Sequence, residues 1–353
     1  MPRHAAPVKR ISPKPFIWSG VGVLALVLVI LFVCNGGIQF VSAGLSGLFS
    51  ASSEPESESE SLSSEVESSE TSDDVSMEES GGEETPPSHI PTGEIRAVWL
   101  RPGVDYATDE DADEDAIKKE LSAVFGQLQS WSMNTVLLPL FEGEKALYTS
   151  SLADSYAGWD MVSYITALAR GMDMQVYGVL ELGQAGDLTA PNANEKLTAL
   201  TAEVAACGLD GVYLTGYTVE GNGDYGAYLA AGSGDRTAFV RQSVTRAVTA
   251  AVAALRAADA KLYVGLLADP LWATAEAMEN GCAVTGLTAS YDKGADTRGW
   301  VTAGLFDCVM ADIPVAVGDK KAGFSVLLTW WATLCAEQEL PLYVSDTVDG
   351  DWE

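Results

Sequence analysis

Histidine is nearly absent from this 353-residue chain. His4 and His89 are the only two, and both precede the region where regular structure is expected. A Ser-His-Asp triad, a Cys-His pair and a His-ligated zinc centre are therefore excluded from the C-terminal part. Gly-rich phosphate loops of the Walker or dinucleotide type are missing too, so no nucleotide cofactor is expected, and none of another kind is called for. The five cysteines include Cys207, Cys282, Cys308 and Cys335, which are far apart and show no paired spacing. Buried free thiols are the favoured reading, because Cys308 and Cys335 sit in apolar runs. Carboxylates, Tyr, Lys, Arg and Cys remain as the groups that could do chemistry.

Charge is missing selectively. Residues 1–50 have no Asp or Glu, and residues 51–90 have no Lys or Arg. The whole chain has 20 basic and 50 acidic residues, a formal net charge of -30. That sign argues against binding nucleic acid or an anionic lipid surface.

These shifts divide the chain into four parts. Residues 1–15 form a basic tail with Arg3, Lys9, Arg10 and Lys14. Residues 16–34 hold the uncharged run "FIWSGVGVLALVLVILFV", long enough for one transmembrane helix. The basic residues lie before it and none follows until Arg96, which predicts a single-pass cell-membrane protein with its N-terminus in the cytoplasm and its C-terminal domain outside. A cleaved signal peptide ending at Ala43 is the rival reading, although the apolar run is longer than a usual signal core. Residues 35–92 are Ser/Glu-rich, with too little apolar surface to offset chain entropy, and read as a disordered linker.

Residues 93–353 alternate short apolar runs with amphipathic patterns. Strand candidates are 95–100, 135–140, 175–182, 211–214, 262–268, 306–313 and 342–345. Helices are expected near 114–131, 159–171, 193–206, 236–258, 296–303 and 325–337. Continuous apolar strands alternating with helices indicate a parallel sheet covered on both faces. The fold class is therefore α/β, a (β/α)8 TIM-type barrel with seven firm strands. From composition alone "AVTGLTA" at 283–289 could be an eighth.

The pattern resembles the bacterial glycoside-hydrolase-like family 10, TIM-barrel proteins associated with cell-envelope glycan. The resemblance covers roughly residues 93–350 and is carried by "EIRAVWLR" at Glu94, "NTVLLPLFEGEKALYTSSL" at Asn134 and "GWDMVSYITALARGMDMQVYG" at Gly158. It continues in "FVRQSVTRAV" at Phe239, "TGLTASYDKGADTRGWVTAGLFDCVMADI" at Thr285 and "LTWWATLCAEQELPLYVS" at Leu328. It implies a glycan-engaging barrel, treats 283–289 as loop, and places the family's eighth strand after the last one found here. Against the family pattern the site residues have changed. Thr215-Gly216-Tyr217 stands where the family's fourth strand ends in Asp-Asp-Tyr. Glu181-Leu182-Gly183-Gln184 replaces Asn-Pro-Tyr-Arg, and Ala311-Asp312 replaces Pro-Gln. The resemblance thus implies a degenerate, non-catalytic site, while the new acids Glu181, Asp312 and Asp346 keep an active glycoside hydrolase with relocated carboxylates as the alternative.

Glycoside hydrolysis needs two carboxyls across a sugar. Acids near strand C-termini are Glu142, Glu144, Glu181, Asp269, Asp312 and Asp346. Glu181 and Asp312 are the candidate catalytic pair, at the ends of the third and sixth strands. The candidate glycan-binding residues are Tyr217, Asp269, Asp346, Arg101, Trp99 and Glu142. Tyr217 directly follows a strand end and is expected to open onto the pocket. Trp99 reads either as a stacking platform or as barrel core. Arg101 could hold an anion or pair with Asp105. Tyr225 and Trp272 could also stack on sugars, and Trp330 and Trp331 read as helix packing. A carboxylate Ca²⁺ site lacks regular ligand spacing, so no metal is assigned.

Overall fold

The computed structural model describes residues 94–346 apart from 110–111, 222, 233 and 316–322. The expected tail, membrane helix and linker lie outside the described residues. Within them, no helix is long and apolar enough to cross a membrane.

Seven strands form one parallel sheet. They are β1 (Ala97–Trp99), β2 (Thr135–Pro139), β5 (Gln175–Glu181), β6 (Gly211–Thr215), β7 (Tyr263–Ala268), β8 (Cys308–Asp312) and β9 (Leu342–Ser345). Their order in the sheet is their order in the chain, and each neighbouring pair is parallel. A small antiparallel hairpin, β3 (Phe141–Glu142) with β4 (Lys145–Ala146), sits above β2. The helices are α1 (Glu114–Ser130), α2 (Met161–Arg170), α3 (Ala193–Ala205), α4 (Tyr225–Ala231), α5 (Arg236–Ala258), α6 (Thr297–Thr302) and α7 (Phe324–Glu337).

Side chains alternate across each strand, and the two faces meet different partners. Val98, Val136, Val176, Val212, Val264, Val309 and Val344 point outward into one core shared with the helices. In α5 the buried face runs Phe239, Val240, Val244, Val248, Val252 and Leu255, the spacing of one helical stripe. Asp235 caps it by accepting from the amides of Thr237 and Ala238.

The opposite parity fills the interior with a second core. Ala97, Leu137, Tyr177, Val179, Tyr213, Tyr263, Leu267, Cys308, Met310 and Tyr343 pack there, with Trp99 against them. Tyrosines fit because glycines stand beside them. A Cβ at Gly265 would lie 2.4 Å from the Tyr213 ring, and one at Gly211 would lie 2.6 Å from that of Tyr177. Large and small side chains thus share each layer.

The sheet curls far enough that its first and last strands meet through side chains. The Trp99 indole Nε1 on β1 donates to Ser345 Oγ on β9 at 3.3 Å. No backbone ladder joins those two strands among the described residues. The architecture is a partial (β/α) barrel of seven parallel strands. Residues 283–289 form no strand; Gly286, at φ 84, breaks that segment into bends.

Candidate active site

Residues of inward parity reach the mouth of the barrel at the C-terminal strand ends. This is the face where such folds bind ligands, because the strand-to-helix loops converge there. Asp312 ends β8 and pairs in register with Ser345 of β9. Ala268 pairs with Ala311, so Asp269 follows beside Asp312 on the adjoining strand. The Ser345 hydroxyl hydrogen-bonds the Asp312 carboxylate and accepts from Trp99, which links three strand ends in a chain of polar contacts.

Burial raises the pKa of Asp312 above the usual carboxylate range, the Ser345 hydrogen bond opposes that, and the Asp346 charge adds to it. Burial likewise raises Asp269, with the Lys293 charge lowering it and the Asp312 charge raising it. Two half-buried carboxylates therefore sit side by side, and the Asp312 charge disfavours the ionised form of Asp269. Lys293 is committed elsewhere, to Glu220 at 2.8 Å.

The fourth strand of the sheet, β6, delivers no acid. Thr215 pairs in register with Glu181. Gly216 then turns the chain at φ 61, and its carbonyl accepts from the Gly183 amide at 3.2 Å. A Cβ at Gly216 would lie 3.0 Å from Glu181 Cβ. Position 216 is thus closed by both backbone conformation and space. Tyr217, expected to open onto the pocket, is 1% exposed. Its ring packs edge-on against Trp300 at 5.2 Å. Its hydroxyl donates to the Leu267 carbonyl at 3.2 Å and accepts from the Asp269 amide at 2.9 Å. Burial raises its pKa far above the usual phenol range. It fixes the end of β7, and with it Asp269, and offers no stacking surface.

Glu181 and Glu142 stand elsewhere. They line a polar cavity of about 1560 Å³ with Lys145, Gln184 and Lys196, between the loops after β2 and β5. Asp312 is no part of that wall; its charged neighbours are Asp269 and Asp346. The structure groups Asp269, Asp312, Asp346 and Trp99 on one side of the mouth and Glu142 with Glu181 on another. Arg101 takes its pairing alternative. Its Nε lies 3.5 Å from Asp105 Oδ2, and the same oxygen accepts the Arg101 amide at 2.7 Å.

Of the other aromatics, Trp272 is buried and donates to Asp296 Oδ1 at 3.0 Å. Tyr225 is exposed, under the Arg236 guanidinium at 5.0 Å. Trp331 is core, whereas Trp330 lines a surface cavity. Sequence reasoning gave Ser345 and Lys293 no role at this mouth. Ser345 had a signal, since it ends a strand at inward parity. Cys207, Cys282, Cys308 and Cys335 are free thiols. Among the described residues no cluster of three or more His, Cys, Asp or Glu could hold a metal ion.

No protein-family model matches the chain, and no curated protein matches it. Solved structures similar to it include an endo-β-1,4-mannanase from Thermotoga petrophila, at 10% identity and TM-score 0.45, covering 64% of this chain and 56% of that one. A β-1,4-D-mannanase from Cryptopygus antarcticus matches at 13% identity and TM-score 0.33, covering 64% and 68%. An exo-β-1,4-mannosidase from Opitutaceae bacterium strain TAV5 matches at 13% and 0.39, covering 65% and 41%. The chain thus spans little more than half of the first of these proteins. The parallel sheet and its helices, rather than these distant matches, define the class: a partial (β/α) barrel with a carboxylate-bearing mouth.

Proposed function

We propose that this chain is a glycosidase-like barrel of the glycoside-hydrolase-like family 10 type that binds cell-envelope glycan at its mouth without cleaving it. In this reading residues 16–34 anchor it in the cell membrane, and the barrel stands outside on the 35–92 linker. The observation that carries the non-catalytic part is the closed end of β6. The resemblance places an acid there; the chain has Thr215 and a left-handed Gly216 pressed against Glu181. Asp269 and Asp312 stand at the ends of the neighbouring strands β7 and β8, not at the end of β6 where the resemblance places the acid.

Trp99, half-buried beside Ser345 and Asp312, supplies an indole and two polar groups at one point of the mouth. Sugar hydroxyls suit such acceptors. The test is co-sedimentation of the full-length chain with purified peptidoglycan. The wild type is expected to pellet with it, and Trp99→Ala or Asp312→Ala to shift binding to at least tenfold higher concentration. Wild-type protein left in the supernatant contradicts the reading.

A second reading has one specific observation behind it. A carboxyl held above its usual pKa by burial, as Asp312 is, suits a general acid. In that reading the domain is an active hydrolase built on relocated carboxylates, Asp312 with Glu181 or Asp269.

A further inference from the structure

A second cavity lies on the flank of the barrel, away from the carboxylates of the mouth. It has a volume of about 620 Å³, within the range of about 300–1,000 Å³ typical of small-ligand sites. The loop after β7 forms one wall, with Asn280 and Cys282, and α7 forms the other, with Thr329, Trp330 and Thr333. Arg298 of α6 stands at its edge.

Two features of this cavity bear on what it could hold. The Trp330 indole is fixed on three sides. It stacks on Trp272 at 5.7 Å with an 18° interplanar angle, meets Trp331 edge-on at 4.9 Å, and donates Nε1 to the Asn280 carbonyl at 2.8 Å. It is nonetheless only half-buried, so part of a rigid aromatic surface faces the cavity. The second feature is Arg298. Acids outnumber bases in this chain by 50 to 20, yet the Arg298 guanidinium has no ion pair or hydrogen bond among the described residues, its one side-chain contact there being aromatic. It rests instead on the Trp272 ring at 5.5 Å. A guanidinium stacked on an indole keeps its N–H groups at the ring's edge, ready for a planar anion.

We infer that this flank cavity is a second binding site, for a saccharide carrying one carboxylate. A sugar ring presents polarised C–H bonds on one face, and these are attracted to the electron-rich face of an indole. The carboxylate takes the Arg298 fork. Glu337 also lines the cavity, two helical turns beyond Trp330, about 10 Å along the axis. It disfavours a second acidic group and so limits the ligand to one charge. The choice of a saccharide rests on the proposed function; the pairing of an aromatic surface with a guanidinium that has no ion pair among the described residues does not.

The test is isothermal titration calorimetry of the full-length chain with a glucuronate–N-acetylglucosamine disaccharide. A neutral analogue, with the carboxylate reduced to hydroxymethyl, serves as comparison. The acid should bind at least tenfold tighter than the neutral sugar. Arg298→Gln should abolish that difference, and Trp330→Ala should weaken both ligands. Because Trp330 packs on Trp272, its variant could fail to fold, so Arg298→Gln, with its thermal midpoint checked, is the deciding arm. Equal affinity for the two sugars, no measurable binding, or an acid preference that survives Arg298→Gln overturns the inference. The mouth reading fails separately: Arg298-dependent disaccharide binding by a chain that ignores peptidoglycan refutes the mouth alone. Peptidoglycan binding without Arg298-dependent disaccharide binding refutes the flank site alone.

Discussion

At the residue scale the mouth is governed by what Gly216, Tyr217 and Asp312 do. Gly216 occupies a left-handed conformation with Glu181 close by. Gly216→Ala is expected to cost about 1–2 kcal/mol from the backbone alone, read as a lower denaturation midpoint with an unchanged m-value. Tyr217→Phe removes the hydroxyl that bridges the Leu267 carbonyl and the Asp269 amide. It leaves a backbone donor at the end of β7 without its acceptor, at a cost of about 1–3 kcal/mol. Asp269 and Asp312 carry raised pKa values in the folded state. Their folded forms bind protons more readily than the unfolded chain does. The stability they contribute is therefore fully present below the unfolded carboxylate pKa and lost as pH rises through the folded value. Asp312→Asn, which keeps an oxygen acceptor for Ser345, should raise the thermal midpoint at pH 7 and leave it nearly unchanged at pH 4. A gain of equal size at both pH values would show that Asp312 ionisation is not the cause.

At the scale of elements the sequence is readable where a segment's own pattern decides its state. Continuous apolar strands and the stripe of α5 fall where periodicity places them, because each buries its own side chains whatever its neighbours do. The pattern is silent where conformation turns on one residue. Tyr217 looks exposed because it follows a strand, but Gly216 redirects the chain and sends the ring against Trp300. The β3–β4 hairpin has two-residue strands, too short for periodicity. Its only local signal is the two-residue loop Gly143-Glu144, with Gly143 at φ 58. Segment 283–289 has strand-like composition, but with Gly286 at φ 84 it forms bends that bury Val284 and Ala289 singly. Carboxylate placement was half legible. Parity and strand ends put Asp269 and Asp312 at the mouth, while which acids adjoin depends on inter-strand register, and that is a property of the sheet.

At the scale of the whole molecule the sheet has seven strands and two edges that no ladder joins among the described residues. The Trp99–Ser345 hydrogen bond spans those edges at the mouth. Unpaired strand edges are templates for association. Trp99→Phe removes the bond and is expected to increase concentration-dependent oligomers, measured by light scattering from dilute to concentrated protein. A strictly monomeric variant would show that the edges are protected by other means. The mouth, for its part, presents neighbouring carboxylates and a fourth strand that ends without an acid, and the proposed function has it hold glycan without cleaving it. The most direct test is to incubate the full-length chain with purified peptidoglycan, reduce the products with labelled borohydride and count new chain ends. If the mouth holds glycan without cleaving it, label stays no higher than in a protein-free control while the protein remains bound throughout. Labelled ends that accumulate with time, and that disappear in Asp312→Asn, would overturn that reading.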